Sequence, residues 1–185
     1  MQVALVERAR AGDEEAFASL ARAAGDRLLA IAYRILRDLG LAEDAVQQTL
    51  VLAWRELPSL RDVDRFEAWL RRLLVNACYR EARRGRNWAA NVRVLPMDQP
   101  ARGDDYNAVV ERDQLERGFR RLPPEQRAVF VFHHYLGLTL IEVAAELGVP
   151  LGTVKSRLHY ATNTLRAALE ADLRLPNDAS SEHLA

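Results

Sequence analysis

The stretch from Thr139 to Leu158 constrains this chain most, because its pattern predicts two short helices joined by a tight turn. Thr139 with Glu142 three residues later is typical of a capping box at the start of the first helix, and Gly148 is expected to end it. Apolar residues recur every three or four positions: Leu140, Val143, Ala144 and Leu147 in the first helix, and Val154, Leu158, Ala161 and Leu165 in the second. The stretch is therefore a candidate helix-turn-helix.

The outer face of the second predicted helix carries hydrogen-bond donors and cations. Its residues are Thr153, Lys155, Ser156, Arg157 and Tyr160. Residues 152–166 contain three basic residues and no acidic one, which suits a DNA major groove. Because similar helix pairs also occur in bundles without any nucleic-acid partner, the charge distribution is the observation that favours DNA binding.

The composition argues against disulfide-bonded, zinc-binding and membrane-spanning classes of protein. The chain has 185 residues, of which 49% are hydrophobic, enough for one sizeable core or two small ones, and we favour two. Cys78 is the only cysteine, which excludes an internal disulfide and, without clustered histidines, argues against a zinc site. No apolar stretch approaches the length of a bilayer span. We therefore expect a cytoplasmic protein with no membrane insertion of its own.

Charge is balanced overall but unevenly placed. The chain has 26 basic and 26 acidic residues, yet residues 61–93 hold nine arginines against four acidic residues. Arginine suits phosphate contacts because its guanidinium group donates several hydrogen bonds in a fixed plane. This segment is a second candidate nucleic-acid surface.

Hydrophobic periodicity predicts helices along most of the chain. The expected caps and breaks are a cap at Asp13, a break at Gly25-Asp26, a helix end at Leu39-Gly40, a cap at Asp64 before a long Arg-rich helix, and Pro124 at a first helical position. Periodicity fails from Asn87 to Asn107, which indicates a linker. We expect an all-α fold of two small helical domains joined by a flexible linker: residues 1–90, a linker over 91–108, residues 109–175, and a disordered tail over 176–185.

Five segments, in order, carry a family resemblance. They are GDEEAFASL (12–20), AEDAVQQTLVLAW (42–54), FEAWLRRLLVNACYREARR (66–84), LPPEQRAVF (122–130) and GTVKSRLHYA (152–161). Together they resemble a sigma factor of the sigma-70 class in its smallest form, the extracytoplasmic-function (ECF) group. The resemblance covers nearly the whole chain.

The resemblance implies an RNA polymerase subunit that directs the core enzyme to promoters. The first domain, region 2, would bind the clamp of core RNA polymerase and open the −10 promoter element, and the second, region 4, would bind the −35 element and the polymerase flap. Promoter DNA, core RNA polymerase and an anti-sigma factor are the implied partners.

The resemblance also implies roles for individual residues. Polymerase contacts would be made by Asp44, Gln47 and Gln48; −10 contacts by Arg61, Arg65, Arg72, Asn76, Arg80, Arg83 and Arg84; and −35 contacts by the outer face of the second predicted helix. Arg71 would add to the cationic track for the strand. The chain departs from the family at Gln48 and Arg80, where an acid is common, and at Pro150, where a capping Ser is common.

No catalytic constellation is evident in the sequence. There is no Gly-rich phosphate loop, the single thiol lies in an apolar helix, and His133 and His134 are adjacent, so they point to different faces of a helix. We expect no catalytic residue, no metal site, no cofactor and no enzyme activity.

Two other classes remain open. One is a helix-turn-helix regulator that acts without being a polymerase subunit, which co-purification with core polymerase would separate from a sigma factor. The other is a helical adaptor or enzyme with an incidental helix pair, which predicts no salt-sensitive DNA binding.

Overall fold

The computed structural model describes residues 2–91 and 116–173, with side chains over residues 3–85 and 116–170. Its helices are α1 (Gln2–Arg10), α2 (Glu14–Leu36), α3 (Leu39–Glu56), α4 (Phe66–Asn91), α5 (116–121), α6 (Pro124–Phe130), α7 (Leu140–Leu147) and α8 (Leu151–Leu173). Two 3₁₀ turns, Leu57–Ser59 and Val63–Arg65, connect α3 to α4, and a π-helical segment, Val131–Tyr135, continues α6. Since these two ranges contain no strand, the all-α prediction is confirmed.

Helix α2 confirms one prediction and corrects another. Asp13 caps it by accepting a hydrogen bond from the Ala16 amide at 3.0 Å. The break expected at Gly25-Asp26 is wrong, because α2 passes through Gly25 without interruption. Ala24 and Leu28 are both buried on the inner face, so packing on both sides of the glycine offsets its low helix propensity.

The junction between α2 and α3 lies earlier than predicted. Arg37, with φ of 59°, ends α2 in the left-handed region, and Asp38 caps α3 by accepting from the Leu41 amide at 2.8 Å. The helix end expected at Leu39-Gly40 is therefore wrong, since both residues belong to the first turn of α3.

Helix α4 begins and ends differently from the prediction. Asp62, and not Asp64, supplies the cap, and the 3₁₀ turn that follows it continues directly into α4. The helix extends to Asn91, beyond the expected loss of periodicity at Asn87, because no proline or glycine interrupts residues 87–91. The remainder of the predicted linker and the predicted tail lie outside the described residues.

The helix-turn-helix prediction is confirmed in detail. The Thr139 hydroxyl accepts from the Glu142 amide at 3.3 Å, and the Glu142 carboxylate accepts from the Thr139 amide at 2.7 Å. The pKa of Glu142 is lowered because its carboxylate accepts hydrogen bonds from the Thr139 hydroxyl, at 2.7 Å, and from the Thr139 amide. Gly148 ends α7 with φ of 65°, and α8 follows at once with Val154 and Ala161 fully buried.

Helix α4 lies at the centre of the molecule, in contact with α2 and α3 and also with α6 and α7. Buried side chains from both halves of the chain, including Leu74, Phe132 and Val143, form one continuous cluster. A smaller cluster contains Leu122, Ala161 and Leu165. The two halves therefore share a core, which the sequence pattern did not indicate.

Charged side chains also join the two halves. Arg71 of α4 holds Glu146 of α7 in a bidentate pair, with Nε to Oε2 at 2.8 Å and Nη2 to Oε1 at 2.5 Å. The pair is largely buried, at 17% and 10% side-chain exposure. Arg127 donates to the Ile35 carbonyl at 2.7 Å. Both contacts therefore hold the second half of the chain against the first.

Among the helices of the described ranges, none combines the length and apolar character that crossing a membrane requires.

We expect the Arg71–Glu146 pair to couple the two halves energetically. A double-mutant cycle of Arg71→Ala and Glu146→Ala, followed by urea unfolding, should give a coupling energy of about 1–3 kcal/mol, because either single change leaves a shielded charge without its partner. The control is the exposed pair Asp62–Arg65, 3.3 Å apart at 53% and 81% exposure, for which the coupling should be close to zero. Equal coupling in both cycles would contradict the packing described here.

Gly148 and Gly152 give a matched test of the turn in the helix-turn-helix. Gly148→Ala should destabilise the protein by about 1–3 kcal/mol, because alanine is strained at positive φ and its Cβ would lie 2.8 Å from the Arg72 guanidinium. Gly152→Ala lies in α8 with open space around the new Cβ, so it should stabilise by about 0.5 kcal/mol. Thermal unfolding of the two variants measures both, and destabilisation of equal size would argue against the left-handed turn.

Candidate nucleic-acid interface

The outer face of α8 carries the five residues predicted to contact DNA. Lys155, Ser156 and Tyr160 are exposed, the last at 61%, whereas Thr153 and Arg157 are partly buried. The Ser156 hydroxyl donates to the Thr153 carbonyl at 3.0 Å, so it is bound to its own helix. The exposed part of the face thus centres on Lys155 and Tyr160.

One edge of this face lies near α4. The hydroxyl of Tyr79 is buried and has no hydrogen-bond partner among the described residues. Burial raises the pKa of Tyr79, whereas the positive charge of Arg157 acts to lower it, which places Arg157 within electrostatic reach of that ring. Arg157 therefore lies beside the first half of the chain as well as on the face of α8.

The predicted −10 residues of α4 form a stripe. Arg72, Asn76, Arg80 and Arg83 are all exposed and follow one another at helical spacings of four, four and three. Next to Arg83 on the same helix, Arg84 is 73% exposed and pairs with Glu81 at 3.2 Å.

The loop before α4 carries the remaining two −10 residues. Arg61 and Arg65 are both exposed, and Arg65 pairs with Asp62. The loop is held in place from α1, since Arg10 donates to the Leu60 carbonyl at 3.2 Å. The two arginines therefore extend from an anchored segment.

Arg71 and Arg72, in the first half of α4, both lie against the helix-turn-helix. Arg71 is committed to Glu146, so its expected role in the cationic track is wrong for this arrangement of the chain. The Arg72 guanidinium lies against Gly148, at the turn between α7 and α8. The helix-turn-helix therefore reaches the stripe at Arg72, and both Arg72 and Asn76 remain exposed.

The predicted polymerase residues lie together on α3. Asp44 and Gln47 are exposed. Gln48 is partly buried, and its amide donates to the carboxylate of Glu81 on α4. Gln48 thus bridges two helices in addition to lining the surface.

Glu81 is a residue that the sequence analysis missed. It is only 2% exposed, and its carboxylate is held by Gln48 and by Arg84. A signal was present, since Leu70, Leu74 and Glu81 share the helical spacing of the buried stripe of α4. An acid on a buried stripe requires polar partners, but the sequence does not reveal that Gln48 is one of them.

A recess of about 410 Å³ opens between α3 and α4, lined by Gln47, Gln48, Val51, Leu52 and Arg80. It joins two residues predicted to contact polymerase with one predicted to contact DNA. A neighbouring groove of about 610 Å³ includes Phe17, Val51 and Trp54. Trp54 packs against Phe17 with ring centroids 5.0 Å apart, so its ring is part of the packing between α2 and α3.

The remaining candidate groups show ordinary structural environments. Nδ1 of the partly buried His133 lies 2.8 Å from the Leu138 carbonyl oxygen, and His134 is exposed, as the sequence analysis expected for adjacent histidines. Within the described ranges, no three His, Cys, Asp or Glu side chains are grouped to hold a metal ion. Cys78 is fully buried, and burial raises the pKa of its thiol to about 12.

Comparison with known proteins gives the family. Sigma-70 region 2 matches residues 20–88, and Sigma-70 region 4 matches residues 112–165. The ECF RNA polymerase sigma factor SigL of Mycobacterium tuberculosis is 35% identical over 166 residues, which cover 86% of this chain and 94% of the relative. This chain belongs to the ECF RNA polymerase sigma factors. The sigma factor SigW of Bacillus subtilis is 27% identical over 176 residues, with 89% and 94% covered.

Solved structures agree with this sigma-factor fold. CnrH, in complex with the cytosolic domain of CnrY, superposes with a TM-score of 0.66 at 27% identity, covering 92% of this chain and 98% of that one. The sigma factor RpoE of Bartonella quintana, with the anti-sigma factor NepR, gives 0.62 at 26% identity, covering 80% and 92%. Region 2 of this ECF sigma factor falls on α2 to α4, and region 4 ends within α8.

Cys78 of this sigma factor gives a test of the packing around α4. Because only the thiolate is reactive, Ellman's reagent should leave the folded protein unlabelled at about pH 8, and labelling in urea should follow global unfolding. Burial also raises the pKa of the Cys78 thiol, so little thiolate is present in the folded protein at that pH. Cys78→Ser, the matched control, should give no signal. Complete labelling within minutes in native buffer would show that α4 is not packed as described.

Proposed function

We propose that this ECF sigma factor directs core RNA polymerase to specific promoters, where α8 binds the −35 element as duplex and α4 with its preceding loop captures the −10 element. The observation that carries the proposal is one chain holding both surfaces: the cationic outer face of α8 and the exposed stripe of arginines and Asn76 on α4.

The −35 assignment is supported by the chemistry of α8. Lys155 is suited to the phosphate backbone and Arg157 to base edges, because a guanidinium can donate two parallel hydrogen bonds to guanine. Thr153, Ser156 and Tyr160 complete the proposed contact surface. Region 4 is the part of the family to which this helix belongs.

The −10 assignment is supported by an amide side chain among cations. Extruding a base costs a few kcal/mol, which hydrogen bonds to the exposed base edge and a cationic path for the strand can offset. Asn76 is proposed for the base contact, and Arg61, Arg65, Arg72, Arg83 and Arg84 for the strand. Arg80 is not assigned to the strand, because it also lines the recess beside α3.

Binding to core polymerase is proposed for the outer face of α3. Asp44 and Gln47 are exposed there, and Gln48 lines the adjoining recess. Uncharged amides and one carboxylate beside exposed Val51, 53% accessible, suit a protein partner, because such surfaces combine apolar contact with a polar rim.

The proposal extends to the organisation and partners of the protein. We assign residues 1–90 to polymerase and −10 binding and residues 109–175 to −35 binding. CnrH and RpoE were each solved with a partner, CnrY or NepR, and we propose that an anti-sigma factor likewise binds this chain. The protein would act in the cytoplasm as a polymerase subunit without enzyme activity of its own.

Run-off transcription with core polymerase and a promoter library tests this function. We expect promoter-specific transcripts that depend on this protein. The assembled holoenzyme should prefer a single strand carrying the non-template −10 sequence to a scrambled strand, and Asn76→Ala should reduce that preference by roughly tenfold. Asn163→Ala on α8 makes the same chemical change outside the proposed −10 surface and should leave the preference intact.

Sequence-specific duplex binding by the protein without any affinity for core polymerase would favour a helix-turn-helix regulator and would overturn the proposed function.

A further inference from the structure

The recess between α3 and α4 combines apolar walls with a single cation. Val51 and Leu52 supply its apolar surface, and Gln47 and Gln48 supply amides. Among the described residues that line it, Arg80 is the one with a charged side chain. Val51 is 53% exposed, so the recess continues onto an open apolar surface.

Neighbouring acids do not neutralise Arg80. Glu81 is the adjacent carboxylate in sequence, but it is buried and held by Gln48 and Arg84. Within the described residues no acidic side chain pairs with Arg80. An arginine in this position favours a carboxylate, which it can bind through two parallel hydrogen bonds.

The buried Glu81 also makes the recess ready for a partner. Its hydrogen bond to Gln48 fixes that side chain on one wall of the recess. A site whose side chains are already ordered loses less entropy on binding.

The surroundings favour a protein over a phosphate backbone. Arg80 is the one cation among the described residues that line the recess, so the recess lacks the cluster of cations that a phosphate backbone requires. Phosphate contacts are normally supplied by several cations and gain nothing from exposed valine or leucine. An acidic side chain flanked by apolar ones can pair with Arg80 and also make apolar contacts with Val51 and Leu52.

We infer that Arg80 is a protein-contact residue, which binds an aspartate or glutamate of core RNA polymerase in the α3–α4 recess. The inference rests on the proposed function, and it removes Arg80 from the −10 surface. It gives the recess a definite occupant: an acidic side chain seated on Arg80, with apolar neighbours against Val51 and Leu52.

The test measures two affinities of the full-length protein. The first is the affinity for core polymerase, by competition with a labelled wild-type sigma factor. The second is the affinity of the assembled holoenzyme for a single-stranded −10 oligonucleotide. The variants are Arg80→Glu and Arg80→Gln, with Arg22→Glu as a matched charge reversal at an exposed residue of α2. Arg83→Glu serves as the nucleic-acid comparator.

Arg80→Glu should weaken binding to core polymerase by at least about tenfold, and Arg80→Gln by about threefold, since the first adds repulsion to the lost contact. Arg80→Gln should also reduce the salt dependence of that binding. Arg22→Glu should leave core affinity unchanged, whereas Arg83→Glu should weaken oligonucleotide binding. Circular dichroism confirms that each variant is folded.

Two results would overturn the inference while leaving the proposed function in place. One is Arg80→Glu binding core polymerase within about twofold of the wild type. The other is Arg80→Glu losing oligonucleotide binding as strongly as Arg83→Glu with core affinity unchanged, which assigns Arg80 to nucleic acid. A wild-type protein that does not bind core polymerase would overturn the proposed function and this inference with it.

Discussion

The packing of α4 against both halves of the chain is the constraint on which the rest of the structure depends. The helix contacts α2 and α3 of the first half and α6 and α7 of the second. Leu70, Leu74 and Cys78 are buried within this packing, so α4 has little freedom to rotate about its axis. Because the stripe containing Asn76 and one wall of the recess lie on the same helix, its rotation sets the orientation of both surfaces.

Two shielded carboxylates define how α4 sits against its neighbours. Glu146 is held by Arg71 and Glu81 by Gln48, and an acid removed from water is tolerated only when such partners are present. Paired charges of this kind contribute little net stability, but breaking one partner is costly. Apolar contacts would tolerate small slips of α4, whereas these directional contacts favour one register with α3 and one with α7.

Sequence reasoning succeeded where short-range chemistry decides the structure and failed where distant packing decides it. The capping box of Thr139 and the left-handed turn at Gly148 depend on neighbours within a few residues, so both were predicted. The break at Gly25 was wrong because burial on either side, which local signals do not reveal, keeps α2 continuous. The recess around Arg80 joins residues 47 and 80, and no local pattern indicates that two helices bring them together.

The contact between the halves also bears on how the proposed DNA surfaces can work. Arg157 is partly buried beside Tyr79, whose hydroxyl is shielded from water without a hydrogen-bond partner. Leaving a buried hydroxyl unpaired costs about 1–3 kcal/mol, which a separation of the two halves that exposed Tyr79 to water would recover. The Arg71–Glu146 pair opposes the separation. A movement of the second half that exposed Tyr79 to water would therefore cost less free energy than the loss of the Arg71–Glu146 pair alone.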